Sequence, residues 1–156
     1  MNKKLEIKTV KNLESAFAGE SMAYQKYLYF AKLARKKGNE AVAKVFEDTA
    51  KHEIGHAEGH LRFLYPEEQL TVEDLLKLAI EGETYEYTEM YPGFEKTARA
   101  EGQELAVMEF KEQILESKEH ALFFQKNLEK ISKIFSGLAK AEKIHAEGYQ
   151  NALKAI

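Results

Sequence analysis

Apolar residues recur at three–four spacing along most of the chain, which is the signature of helices with one buried face. The first run predicts a helix from about Thr9 to Lys37, with a stripe of Leu13, Phe17, Tyr24, Tyr27, Ala31 and Ala34. Thr9 can cap its start, and Gly38 can supply the left-handed residue after its end. A second helix is predicted from about Glu40 to Leu64, stopping before Pro66, with Val42, Phe46, Thr49, His60 and Phe63 in its stripe. A third begins at "TVED", Thr71 to Asp74, a capping-box pattern, and ends near Ala100–Gly102. Leu75, Ala79 and Met90 mark its stripe, and Pro92 in "MYPGF" is expected to kink or break it. From Gln103 to Ile156 there is no proline. The stripe there runs Val107, Phe110, Ile114, Ser117, Ala121, Phe124, Leu128, Ile131, Phe135, Leu138, Glu142, His145 and Tyr149 without losing its period.

Each stripe is interrupted by residues that do not belong in an apolar face. Glu20 interrupts the first, Glu53 and His56 the second, Glu83 and Glu86 the third, and Glu142 and His145 the last. The interruptions are related. "KVFEDTAKHEIGHAEGH" from Lys44 and "KIFSGLAKAEKIHAEGY" from Lys133 share nine of seventeen positions, including Glu53/Glu142 and His56/His145. "AGES" from Ala18 and "EGET" from Glu81 pair Glu20 with Glu83. The chain thus reads as two related helix pairs, each offering Glu and then Glu-x-x-His.

Residues three apart on a helix share a face, so Glu-x-x-His can aim a carboxylate and an imidazole at one point. Two such helices plus one Glu from each of two others form the ligand set of ferritin-like dinuclear carboxylate sites. Glu20, Glu53, His56, Glu83, Glu142 and His145 make up that set here, with Glu86 a further candidate one turn beyond Glu83. Five glutamates in an apolar core would carry about −5, which bare carboxylates cannot sustain. Two divalent or trivalent cations nearly cancel it. Oxygen donors with imidazole suit iron or manganese, alone or mixed. One Glu-x-x-His on a helix is common by chance, but two copies in phase with their own stripes are much harder to explain that way.

Composition narrows the rest. The chain has 156 residues, enough for one domain with a sizeable core, and only 2 Pro, which suits a helical bundle. A net charge of −3 gives no reason to expect nucleic acid or an anionic membrane as partner. No run is apolar enough for a membrane span or signal peptide, so a soluble cytoplasmic protein is expected. With no Cys, thiolate metal sites and disulfides are excluded from the sequence given.

Four blocks in order, "AFAGESMAYQKYLYFAKLA", "HEIGHAEGH", "GETYEYTEMYPGF" and "AEKIHAEGY", resemble the rubrerythrins. The resemblance implies an all-α, ferritin-like four-helix bundle with a non-haem di-iron site. It also implies reduction of hydrogen peroxide to water. It implies Glu20, Glu53, His56, Glu83, Glu86, Glu142 and His145 as ligands, with Glu53 and Glu142 bridging. The position of Glu86 would ligate oxidised iron and be replaced by that of His56 on reduction. Tyr27 and Tyr91 match tyrosines beside the ligands and join Glu86 as candidates for a part in the reaction. Lacking the four-cysteine rubredoxin segment, the chain resembles the rubredoxin-free, erythrin-type members, so its electrons would come from a separate donor such as rubredoxin. Oxygen-driven ferroxidase or oxidase chemistry is the alternative use of the same ligands, and a helical interaction module without metal is the last.

One departure bears on the last helix. Counted from "YPGF", the family's final Glu-x-x-His falls on Ser117 and His120, whereas the intact motif comes 25 residues later, about seven turns. The preferred reading is one domain over 1–156. Glu142 and His145 complete its site, and about 103–128 is an additional helical segment between the third and last ligand-bearing helices. The other reading completes the site with His120 and Glu116 or Glu119. A single helix from Gln103 to Ile156 would extend about 80 Å. Breaks near Asn127 or Ser136–Gly137 would shorten it. Either arrangement predicts a homodimer, with a swapped one as a route to it.

Overall fold

The computed structural model describes residues 7–154, with the side chain of Ala152 left aside. The expected start cap at Thr9 falls inside the first helix, which already runs from Ile7. The elements are α1 (Ile7–Lys36), α2 (Glu40–Leu64), a short 3₁₀ turn (Glu67–Gln69), α3 (Val72–Tyr85), a π turn (Glu86–Met90), α4 (Tyr91–Ala100) and α5 (Glu104–Lys154). They form two compact units, Met1–Leu70 and Thr71–Ile156.

In the first unit α1 and α2 form a hairpin. Gly38, at φ 76°, ends α1. Its N–H donates to the Arg35 carbonyl at 2.9 Å, and the Asn39 N–H donates to the Ala34 carbonyl at 2.9 Å, the two bonds of a Schellman motif. Asn39 then caps α2, its Oδ1 accepting from the Val42 N–H at 3.0 Å. The helices meet through small residues: Ala31 and Ala34 of α1, and Ala43, Ala50 and Ala57 of α2, are all buried. Val42 and Phe63 of the expected α2 stripe stay exposed, because the alanine seam, one residue round the helix, is what faces α1.

The second unit repeats this hairpin. Gly102, at φ 69°, lies 64 residues after Gly38. The Gln103 N–H donates to Ala98 at 2.9 Å as Asn39 does to Ala34. Ala98, Val107 and Ala121 are buried where Ala34, Ala43 and Ala57 are in the first unit. The aromatic pairs repeat as well. Tyr27–Phe46 centroids are 5.9 Å apart and Tyr91–Phe110 6.2 Å, while Phe30–Phe46 are 5.5 Å apart and Phe94–Phe110 5.7 Å.

Two expectations are corrected. The helix is not broken at Pro92. It widens one turn earlier, where the Tyr91 N–H reaches back five residues to the Glu86 carbonyl. The wide turn relieves the clash a proline ring makes with the carbonyl four residues before it. It also inserts one residue, so the offset between units is 63 at Glu20/Glu83 and 64 from Tyr27/Tyr91 onward. Second, α5 has no break at Asn127 or Ser136–Gly137. It runs unbroken for 51 residues, about 76 Å. Near the start of α3, Ser132 donates to Glu73 at 3.4 Å. Beyond it, every described α5 residue whose side chain is placed is exposed, Ile134, Phe135, Leu138 and Tyr149 among them.

The capping box opening α3 is formed as expected. The Thr71 hydroxyl donates to Asp74 Oδ2 at 2.6 Å, the Thr71 N–H to the same oxygen at 3.0 Å, and the Asp74 N–H donates to Thr71 Oγ1 at 3.2 Å. These bonds, the hydroxyl's first, hold the Asp74 carboxyl below its ordinary range. Its stabilising effect is therefore full above that range and fades as pH falls through the lowered value. Thr71→Ala is expected to cost about 1 kcal/mol at neutral pH in urea unfolding. The gap from wild type should narrow in strong acid, and an equal gap at every pH would contradict the role of the ionised carboxylate.

Candidate metal centre

The first unit gathers two carboxylates and one imidazole; the second pairs one carboxylate with one imidazole and holds a further carboxylate, Glu86, on a serine. In the first, α1 supplies Glu20 and α2 supplies Glu53 and His56. His56 Nδ1 lies 3.3 Å from Glu53 Oε2 and 3.9 Å from Glu20 Oε2. One donor atom of each of the three falls within 4.8 Å of the others, the spread a single ion can gather. The glutamates are half-buried, and His56 opens to solvent.

In the second unit, α3 supplies Glu83, the π turn Glu86, and α5 Ser117 and His120. His120 Nδ1 lies 3.4 Å from Glu83 Oε1, the counterpart of His56 facing Glu20. Ser117 Oγ donates to Glu86 Oε2 at 2.9 Å. The other oxygen of Glu83, Oε2, is buried with no hydrogen-bond donor. A carboxylate oxygen in that position lacks both water and a proton donor, and a cation is the group that satisfies it. Oxygen and imidazole donors fit iron or manganese. On this ground the residues present fit such an ion.

Tyr27 and Tyr91 occupy equivalent half-buried places, stacked against Phe46 and Phe110. Burial pushes the Tyr91 phenol up, and the Glu86 and Glu83 carboxylates push it further, so it keeps its proton at neutral pH.

Glu142 and His145 are not brought to this cluster. Both are exposed on α5, 25 residues and about 37 Å beyond Ser117 and His120. Their facing matches the stripe, but their height along the helix does not. The pair that meets Glu83 and Glu86 is Ser117 and His120. Glu116 and Glu119 are exposed, and Glu116 instead accepts from Gln113 at 3.4 Å. The apolar stripe alone does not reveal Ser117 as a site residue; its 64-residue offset from Glu53, read off the two turn glycines, marks it.

An all-helical chain with paired carboxylate–imidazole clusters on repeated hairpins is a carboxylate-type metal protein in design. The rubrerythrin family model matches residues 11–128, including 103–128 and ending before Glu142. Rubrerythrin of Porphyromonas gingivalis is 40% identical over 114 residues, 65% of this chain and 57% of that one. Rubrerythrin of Nitratidesulfovibrio vulgaris is 32% identical over 161 residues, 96% of this chain and 71% of that one. Nigerythrin of the same organism is 40% identical over 126 residues, 72% and 62%. A solved structure of nigerythrin in its mixed-valence state aligns at TM-score 0.41 and 31% identity over 84% of this chain and 70% of that one. The chain belongs to the rubrerythrin family, and its fold class is the all-α, ferritin-like one. It spans a little over half the length of the Porphyromonas relative.

If the orphaned oxygen of Glu83 awaits a cation, removing the carboxylate should relieve the metal-free protein. Metal-free Glu83→Met is expected to melt no lower than wild type, while ferrous iron raises the wild-type Tm by more than the variant's, which keeps only the ligands of the first unit. Equal metal-induced shifts in both would exclude Glu83 as a ligand.

Proposed function

We propose that the chain is a di-iron peroxidase of oxidative-stress defence that reduces hydrogen peroxide to water. Glu20, Glu53 and His56, together with Glu83, Glu86 and His120, are the ligands in this reading. Four carboxylates balance two divalent cations, which matches the charge to two ferrous ions. Manganese or a mixed pair fits the same donors. When bound as a ferrous pair, the metal would supply two electrons and Lewis acidity; with two protons, one peroxide then yields two waters. The protein's part is to present these carboxylates on the rigid helices of each unit. Tyr91 stays protonated at neutral pH, held so by burial and by the Glu86 and Glu83 carboxylates, and can serve as a proton donor. Reducing equivalents would come from a separate one-electron iron protein such as rubredoxin. The observation that carries the reading is the carboxylate–imidazole pair repeated in both units, His56 with Glu20 and His120 with Glu83, on a chain of this family.

Oxidation of the anaerobically iron-loaded protein tests it. Two irons per chain, oxidised faster by peroxide than by oxygen, are expected. Preference for oxygen would move the chain to ferroxidase or oxidase chemistry. His120→Ala should lose iron stoichiometry and His145→Ala should keep it; the opposite pattern would return the site to the later motif.

A cytoplasmic homodimer is part of the same proposal. No helix among the described residues is long and apolar enough to cross a membrane. The apolar stripe of α5 beyond Ser132 is uncovered, and a helix with such a stripe is stable in water when something covers it. Sedimentation equilibrium should give twice the chain mass, with Phe135→Glu shifting it toward monomer. A monomeric wild type would end this part of the reading.

A further inference from the structure

The two units reach the same ligand chemistry by different routes. Three residues before His56 stands Glu53. Three residues before His120 stands Ser117, at the equivalent place 64 positions on. A serine hydroxyl cannot replace a carboxylate as an anionic donor. Ser117 is nevertheless buried, at 3% exposure, and its hydroxyl is committed to Glu86 Oε2 at 2.9 Å. Glu86 in turn has no counterpart in α1. The positions 63 and 64 residues earlier are Ala23 and Met22. The extra carboxylate enters with the π turn, the one place where the second hairpin is a residue longer than the first.

We propose that Ser117 is a positioning residue that seats Glu86 as the permanent carboxylate of the second unit, in the role Glu53 has in the first. The inference rests on the metal-binding reading above. The π turn aims Glu86 toward α5, and the shorter serine leaves room for it. The hydroxyl then fixes one carboxylate oxygen and leaves Oε1 free for a metal ion. A carboxylate anchored in this way is restrained from swinging. The resemblance implies a Glu86 that leaves on reduction; Ser117 opposes that movement, so Glu86 stays with the metal in both oxidation states. A serine that only fills a tight spot would need no partner, and alanine would serve there equally well.

Cobalt(II), which does not redox-cycle here, is the probe. The full chain is titrated, with affinity from calorimetry and ligand geometry from the visible d–d bands. Ser117→Ala, still folded though with a lower metal-free Tm, should weaken binding of one ion roughly 10–100-fold and shift its bands, as loss of a residue that orients a ligand does. Ser117→Thr, which retains the hydroxyl, should restore both. Glu86→Gln should weaken the same ion, and adding Ser117→Ala to it should cost little more, because the two act as one unit. Ser117→Ala with wild-type affinity and spectrum would overturn the proposal, as would full additivity with Glu86→Gln. A wild type that binds no cobalt and no iron would overturn the metal reading itself, and the role of Ser117 with it.

Discussion

A carboxylate oxygen shut away from water and from any proton donor is a cost that folding alone does not remove. Glu83 Oε2 is such an oxygen. The surrounding features are intelligible as ways to place carboxylates where only a cation answers them. Glu20 and Glu53 are held half-buried on facing helices, with one imidazole between them. Glu83 shares His120 in the same manner. The imidazoles themselves stay open to solvent. A site built for stability would have hydrophobic residues at these positions, since replacing buried charge by apolar side chains is often neutral or stabilising. The glutamates are better explained by what they bind.

Bringing such groups together requires helices that approach closely. Alanine does this in the first unit: Ala43, Ala50 and Ala57 repeat at seven residues, keeping one narrow seam against Ala31 and Ala34. In the second unit Val107 and Ala121, fourteen residues apart, take the places of Ala43 and Ala57. Small seams leave the bulky apolar residues on other faces, which is why Val42, Phe63 and Leu75 remain exposed. Close approach and a large private core are competing demands on a two-helix hairpin. Here close approach prevails, and the uncovered stripes are its consequence.

Much of the local structure was legible in the sequence. Gly38 and Thr71 mark helix ends by backbone and capping chemistry that acts within four residues, and α2 begins and ends where its pattern does. The glutamates of the site were legible because charge inside an apolar stripe is conspicuous. The π turn was not, because nothing within the turn itself announces it. Its trace is a change of offset between repeats, from 63 at Glu20/Glu83 to 64 at Tyr27/Tyr91, which shows only when both hairpins are laid side by side.

The last helix shows where sequence pattern runs out. Residues 44–60 share nine identities with 133–149, but only Phe46/Phe110, His56/His120 and Ala57/Ala121 with 108–124. Identity therefore favours Glu142 and His145. The turn glycines, the aromatic pairs and the ion-pair geometry favour Ser117 and His120. A helical period specifies direction around an axis and says nothing about height along it, and 25 residues restore the direction after about seven turns. Height is set at the ends, by the count of residues from a turn that the fold cannot move. Gly102 is that turn. Counting fifteen residues on from it reaches Ser117, as fifteen from Gly38 reaches Glu53. The second motif on α5 keeps the right face at the wrong height, so within this hairpin it has no Glu83 to meet.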